Sequence, residues 1–300
     1  IIDTIAYLYA AGRIDLALII APNGVHRNWL AEIRTHMPGW CTHAIAYYSS
    51  NQSKRERDAL GAMPLASDRL RIMTMNVEAL SHDSGAKVAI SFLSKGIAPF
   101  MAIDESTRIK TPSARRTRVA IRLGEMAAYR RIMSGAPVTK GVEDLYAQFK
   151  FLNPDIVGFS TYTQFKSRYC IMGGFEMRQV VGYQNLEELK RRIDGFSFRV
   201  TKEECLDLPP KVYETIEVPL TVEQRKLYNQ LRDDLLAQIG DGQLIDAQLA
   251  VVRMIRLQQV ICGYLPGAEQ GELHRIPSNR IQAMLEVVQD TDAKIIIWAH

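Results

Sequence analysis

The feature that most constrains this chain is the regular alternation, as far as Leu152, of short apolar runs with amphipathic stretches. Leu16–Ala21 (LALIIA) is apolar on both faces, which describes a strand buried on both sides of a sheet. Pro22-Asn23-Gly24 breaks it, and Val25–Met37 then carries Trp29, Leu30, Ile33 and Met37 at helical spacing. His43–Tyr48 and Leu70–Thr74 read as the next strands, Ser53–Leu60 as a charged helix between them and Lys87–Leu93 as part of another helix. Phe100–Ile103 is a fourth apolar run, closed by Asp104-Glu105. Ser113–Met126 comes next as a basic amphipathic helix, then strand Arg131–Met133, the turn Ser134-Gly135-Ala136-Pro137 and helix Val142–Leu152. Strand and helix alternating at this pitch predict an α/β domain with a parallel sheet and helices on both faces. Ligands of such sheets bind beyond the carboxyl ends of the strands, so the polar residues there are where chemistry belongs.

After Asn153 the pattern turns to helical segments with loops, Ser160–Cys170 and Asn185–Phe196 among them, separated by Gly173-Gly174. Leu208-Pro209-Pro210 marks a boundary, because consecutive prolines stiffen the chain and exclude helix. Val212–Val218 alternates like a strand, and Thr221–Ile239 and Leu244–Val260 read as long amphipathic helices. A loop containing glycine and proline leads to helix Arg280–Val288 and the apolar run Lys294–Trp298. A doubly wound domain does not close directly after a strand, so the sequence is expected to stop inside a second domain. The expected division is a first α/β lobe at 1–152, a helical insertion at 153–207, and a linker with the beginning of a second lobe at 208–300.

Composition excludes more than it asserts. Apolar residues at 47% and charged residues at 23% describe a globular chain with a core, not a disordered one. The net charge of +4 permits a polyanionic partner, and Arg108, Lys110, Arg115, Arg116 and Arg118 concentrate it locally. No apolar run approaches the ~18 residues that span a bilayer. Ile1–Ala11 has neither a basic leader nor a small-residue cleavage site. The four cysteines are scattered, and His36, Cys41 and His43 lack the second close pair of a zinc site. A cytoplasmic or nucleoid-associated protein (or one acting in a phage-infected cell) is expected, not a secreted one.

Three strand ends carry chemistry-bearing residues. FMAIDE (Phe100–Glu105) has the Walker B form of nucleotide hydrolases, in which a buried strand holds one carboxylate near a magnesium ion and places the next beside the attacking water. Alone, such an ending is more often a strand closing in a solvated acidic turn. Ser134–Pro137 alone is a turn, and Ala21-Pro22-Asn23 with His26, Arg27 and Asn28 is alone an ordinary strand–turn–helix junction, although a helix start there can hold phosphate.

Their collinear combination resembles the Swi/Snf-type ATPases of helicase superfamily two. LIIAPNGVHRNWLAEI (Leu18–Ile33) resembles motif Ia, IMTMNVEAL (Ile72–Leu80) motif Ib, and AIDESTRIKTPSARRTR (Ala102–Arg118) motif II with its basic tail. MSGAPVTKGVEDLYAQFKFLNP (Met133–Pro154) resembles motif III and the segment behind it. RVTKEECLDLPPKVYETIEVPLTVEQRKLY (Arg199–Tyr228) is similar to the family's link between lobes, RLQQVICG (Arg256–Gly263) to its Leu-Arg-Gln-Ile-Cys element, and KIIIWAH (Lys294–His300) to the strand of motif IV. The resemblance implies two RecA-like lobes clamping ATP, with duplex DNA across both and movement along it without strand separation. It implies that Asp104 holds Mg2+ through water and that Glu105 activates water. Thr107, Ser134, Gly135, Ala136 and Pro137 would couple hydrolysis to lobe movement. Asn23, His26, Arg27, Thr74, Asn76, Arg108 and Lys110 would lie near the DNA backbone.

The sequence departs from that pattern in two places. No G-x-x-x-x-G-K-[ST] occurs in it, and Ile1–Gly12 looks like the helix that comes after such a loop, so the loop is expected upstream and the arginine-finger motifs downstream. The isolated 300 residues are therefore expected to hydrolyse ATP negligibly. Thr107 stands where many relatives have histidine; its hydroxyl can bond toward motif III but carries no charge. Two other readings stand beside the DNA motor. One is the motor subunit of a restriction-type system, which the Leu-Pro-Pro-Lys and Arg-Leu-Gln-Gln segments disfavour. The other is a non-catalytic DNA-binding relative, which the intact Asp104-Glu105 pair disfavours.

Overall fold

The computed structural model describes residues 1–53, 56, 58, 60–61, 68–177, 179–240, 247–267 and 272–298. The expected charged helix Ser53–Leu60 and the start of Leu244–Val260 lie partly outside the described residues. The chain divides into two compact units, Ile1–Thr201 and Lys202–His300.

The first unit is built on a parallel sheet of β1 (Leu16–Ala21), β2 (His43–Tyr48), β3 (Leu70–Asn76), β4 (Phe100–Ile103) and β5 (Tyr129–Ile132), in the order β2-β3-β1-β4-β5. Parallel neighbours need crossovers, and helices α1 (Ile2–Ala10), α2 (Asn28–His36), α3 (Asp83–Leu93), α4 (Arg115–Glu125) and α5 (Leu145–Leu152) lie among the strands in sequence. The period-2 geometry of a strand explains why LALIIA is apolar throughout. Leu16, Leu18 and Ile20 enter one core with Met73, Met101, Phe92 of α3, Leu123 of α4 and Phe151 of α5. Ala17 and Ile19 enter the opposite core with Ile72, Phe100, Ile5 and Ala6 of α1, and Ile33 of α2. The expected α/β class, a parallel sheet with flanking helices, is the one observed.

Several boundaries move for local reasons. The helix expected from Val25 starts at Asn28, because the amides of Val25 and His26 both donate to the Pro22 carbonyl and close a turn first. Strand β3 runs two residues beyond the expected end, to Asn76, its register with β1 continuing to Ala21↔Asn76.

Beyond α5 come α6 (Pro154–Val157), capped by the Asn153 side chain, and α7 (Tyr162–Tyr169), with a Thr161/Gln164 capping box. The region expected to be helical also contains an antiparallel hairpin, β6 (Cys170–Gly173) with β7 (Gln179–Tyr183), before α8 (Leu186–Asp194). The glycine pair is the hairpin's end, not a helix spacer: Gly174 sits at φ +72°, which lets the chain reverse. A separate aromatic core of Tyr146, Phe165, Tyr169 and Phe159 holds these pieces together.

The second unit contains α9 (Lys202–Cys205), α10 (Val222–Gly240), α11 (Ala247–Cys262), a short hairpin of β8 (Tyr264–Pro266) and β9 (Leu273–Arg275), and α12 (Arg280–Gln289). Gln224 is buried and its Nε2 donates to the Val260 and Ile261 carbonyls, which ties α10 to the end of α11. Two expected strands do not form: Val212–Val218 and Lys294–Trp298 have no regular structure. A strand needs a neighbour for its amides and carbonyls, and neither segment has one among the described residues. No helix among the described residues is long and apolar enough to cross a membrane.

Candidate functional site

The sheet order puts β1 at the centre, between β3 and β4, so the loops leaving β1, β4 and β5 adjoin at one edge. Backbone bonds continue the ladder into that edge. The Asp104 amide donates to the Ile20 carbonyl at 2.7 Å, Met133 N to Ile103 O at 2.9 Å, and Ser106 N to Met133 O at 2.9 Å. The turn after β4 is thereby fastened to both neighbours. Glu105, at its apex, has left-handed backbone (φ 49°, ψ 58°), a conformation costing a non-glycine residue roughly 1 kcal/mol. Glu105 N donates to Asp104 Oδ1 at 2.9 Å within that turn, and the Glu105 side chain is exposed. The other carboxylate oxygen, Asp104 Oδ2, accepts the indole N–H of Trp29 from α2 at 3.0 Å. Ser134 Oγ lies 3.5 Å from Glu105 Oε2 and accepts the Ala136 amide at 3.2 Å. Asp104, Glu105 and Ser134 are thus brought together; Gly135, Ala136 and Pro137 form the exposed loop beside them.

Gln148, fully buried in α5, joins the acidic turn to that loop. It accepts from the buried Ser106 hydroxyl at 2.6 Å and donates through Nε2 to the carbonyls of Pro137 and Asp144, each at 2.8 Å. Thr107 is half-buried, and its carbonyl accepts the Lys110 amide at 3.3 Å. Side chains connect the acidic turn to the 134–137 loop from Ser106 through Gln148 and from Glu105 to Ser134.

Asp144 fixes the far end of the same loop. It accepts from Thr139 N (3.0 Å), Thr139 Oγ1 (2.8 Å), Lys140 N (3.0 Å) and Lys110 Nζ (3.2 Å). Burial raises its carboxyl pKa, but these donors outweigh that and hold it below the usual carboxylate range. Lys110, expected near DNA, has its ammonium turned inward to Asp144 and Thr139. Arg108 is exposed, its carbonyl accepting Arg116 Nε at 2.8 Å.

On the β1–β3 side, Asn23 is exposed and its amide donates to Glu78 Oε2 at 3.2 Å. Arg27 is exposed with its guanidinium 5.0 Å from the Tyr47 ring centre. Asn76 is half-buried at the end of β3. Two residues expected near the DNA backbone are buried. Thr74 is 0% exposed, held in the middle of a covered sheet, and His26 is 3% exposed beneath the turn that precedes α2.

Neither His26 ring nitrogen has a hydrogen-bond partner among the described residues. Burial, and then the charge of Arg27, hold its pKa below the ordinary value of 6.5. The unfolded chain therefore binds the proton first. The folding stability involved is fully present above about pH 6.5 and is lost as pH falls toward the lowered value. Urea unfolding should show wild type losing stability between about pH 7.5 and about pH 5.5 relative to His26→Phe. Parallel pH curves for the two proteins would refute a buried neutral His26.

Trp29, Glu78, Asp144 and Gln148 lie within the segments quoted above, but neither their type nor their spacing marks them as part of this site. They have partners 75, 55, 34 and 42 residues away, contacts no local pattern encodes, although the Asp144 bonds to Thr139 and Lys140 are local.

Comparison with known proteins bears on these same segments. The sequence matches the SNF2-related domain family over residues 1–263. It is 23% identical over 288 residues to the uncharacterized ATP-dependent helicase MG018 of Mycoplasma genitalium, covering 95% of this chain and 25% of that protein. It is 26% identical over 212 residues to the DNA annealing helicase and endonuclease ZRANB3 of Bos taurus, covering 68% of this chain and 18% of that protein. Among solved structures it is similar to the SWI2/SNF2 ATPase core of Sulfolobus solfataricus in complex with dsDNA, with a TM-score of 0.48 at 23% identity, covering 96% of this chain and 56% of that one. The chain spans 28%, 25% and 26% of the length of three of the curated relatives it matches, and 18% of ZRANB3. Because the family match takes in the sheet, the acidic turn after β4 and the loop after β5, the chain belongs to the SNF2-related domain family.

Proposed function

We propose that this chain acts in an ATP-driven motor on duplex DNA, a helicase-like translocase that couples ATP hydrolysis to movement. The observation that carries this reading is the pair Asp104 and Glu105 at the carboxyl end of β4, with Ser134 from the β5 loop 3.5 Å from Glu105. Residues 1–152 serve as the first RecA-like lobe, 153–207 as an insertion, and 208–300 as the linker and the beginning of a second lobe.

The residues suit a magnesium ion. Asp104 is a hard oxygen donor, partly exposed, and each of its carboxylate oxygens accepts one N–H from the described residues. Lone pairs therefore remain for an ion that keeps much of its water. Magnesium, when bound, offsets the charge that develops on the phosphates. Asp104 would hold that hydrated ion, and Glu105 would orient the attacking water and take its proton. No Gly-x-x-x-x-Gly-Lys-Ser/Thr segment for cradling phosphates occurs in the sequence. Thr107 and Ser134 to Pro137 relay the state of the acidic turn to the moving lobe. Asn23, Arg27, Asn76 and Arg108 face the DNA backbone; His26 and Thr74 support them from beneath, and Lys110 anchors the loop at Asp144. Contacts to phosphate give sequence-independent, salt-sensitive binding, which a translocating protein requires.

The test is ATP hydrolysis by the protein expressed from its complete gene, with and without duplex DNA, over a range of salt. Stimulation by duplex DNA of any sequence, weakening as salt rises, is the expected result. Hydrolysis indifferent to duplex DNA at every salt concentration would overturn the motor reading.

A further inference from the structure

We infer that Trp29 is a positioning residue for the magnesium-binding carboxylate, its indole N–H holding Asp104 Oδ2 in place from the neighbouring helix. The inference rests on the reading of Asp104 as the carboxylate that holds the hydrated ion.

Trp29 is the second residue of α2 and packs against the core that contains Ile19, Ile33 and Ala102. An indole nitrogen only donates and an ionised carboxylate only accepts, so the 3.0 Å contact has one polarity. The opposite oxygen, Oδ1, takes the Glu105 amide at 2.9 Å, a bond within the same turn. That local bond holds one oxygen from within a turn that is itself fastened to the sheet. The Trp29 bond holds the other, because it ties the carboxylate to a helix packed on the core it shares with β1 and β4. Rotation about the terminal bond of an aspartate is otherwise broad, so a second, remote donor decides which way the oxygens face. The role of Trp29 is therefore not the base stacking or rim packing that its residue type alone suggests. Groups that orient a metal ligand typically carry a ten- to hundredfold share of metal affinity or activity.

Trp29→Phe keeps an aromatic ring for the core and removes the donor. In the protein expressed from its complete gene, it should raise the magnesium concentration for half-maximal ATP hydrolysis by about tenfold or more. Turnover at saturating magnesium should stay within about threefold of wild type, because the variant changes how the ion is held and not the water-activating group. The second readout is 19F NMR of 5-fluorotryptophan-labelled protein. One line, absent from Trp29→Phe, should shift when magnesium and ATP are added to wild type and stay fixed in Asp104→Asn. An unchanged magnesium requirement in folded Trp29→Phe, with Asp104→Ala inactive, would overturn the positioning role and leave the site reading intact. Magnesium dependence equal to wild type in Asp104→Ala would instead overturn the site reading beneath it. Should Trp29→Phe not fold, labelled wild type and Asp104→Asn decide. A tryptophan line that moves with magnesium and ATP only in wild type supports the inference, and the absence of any such line overturns it.

Discussion

Glu105→Gln is expected to lower ATP turnover by roughly a hundred- to ten-thousandfold in the protein expressed from its complete gene, the range that loss of a general base produces. The substitution preserves side-chain volume and removes the ability to take a proton from water. Its structural cost should be small, within about 0.5 kcal/mol, because the Glu105 side chain is exposed and its one recorded partner, Ser134 Oγ, is 3.5 Å away. The left-handed backbone at Glu105 is common to both proteins, so that strain cancels from the comparison. Duplex binding, carried by other residues, should be unchanged. Single-turnover hydrolysis and equilibrium binding to a duplex, measured on the same preparation, separate the two effects. Turnover within about threefold of wild type would remove Glu105 from the chemistry. Loss of turnover together with loss of duplex binding would mean that the variant disturbs the fold or the DNA surface instead.

How much of this was legible in the sequence depends on the range of the interaction concerned. Strands β1 and β4 were legible because each is an apolar run whose residues serve two cores at once, as Leu18 and Ile19 do; β5 carries two arginines, and it runs over Tyr129–Ile132, not the expected Arg131–Met133. Asp104 and Glu105 were legible because a buried strand ending in two carboxylates is a local pattern. The hairpin of Cys170–Gly173 and Gln179–Tyr183 was not, since short strands with glycines resemble a loop between helices. Lys294–Trp298 failed in the opposite direction: strand propensity is present, but Ile296 and Trp298 are 78% and 91% exposed and unpaired among the described residues. Thr74 and His26 stand where the resemblance expects DNA contacts, and only burial separates a residue that lies near a surface from one that reaches it. The bonds that give the candidate site its shape, Trp29 to Asp104 and Ser106 to Gln148, join residues from different elements. Neither an indole nor a glutamine announces such a role by type or spacing.

Asp144→Ala is expected to destabilise the first unit by about 2–4 kcal/mol, the cost of leaving several donors without their charged acceptor. Four donors converge on that one oxygen, from Thr139, Lys140 and Lys110, and its side chain is 10% exposed. Water can reach part of the loop, which keeps the loss below the full cost of a buried unpaired charge. The pH dependence has a definite sign. The folded carboxyl sits below its unfolded value of 3.8, so its contribution is present above about pH 4 and is lost as pH falls through the lowered value. Asp144→Ala should therefore flatten the acid limb of the stability curve as well as lower its plateau. The same pair separates two roles for Lys110. As an anchor, Lys110→Ala loses stability, most of it absent in the Asp144→Ala background, and leaves the salt dependence of duplex binding alone. As a phosphate contact, it lowers the slope of log affinity against log salt by about one, which is what Arg108→Ala is expected to do. Urea melts of the single and double variants, beside salt titrations of duplex binding, give the answer. Additive stability losses for Lys110 and Asp144 would show that the ion pair holds nothing, and that the loop after β5 is fixed by Gln148 and the Asp144 bonds to Thr139 and Lys140.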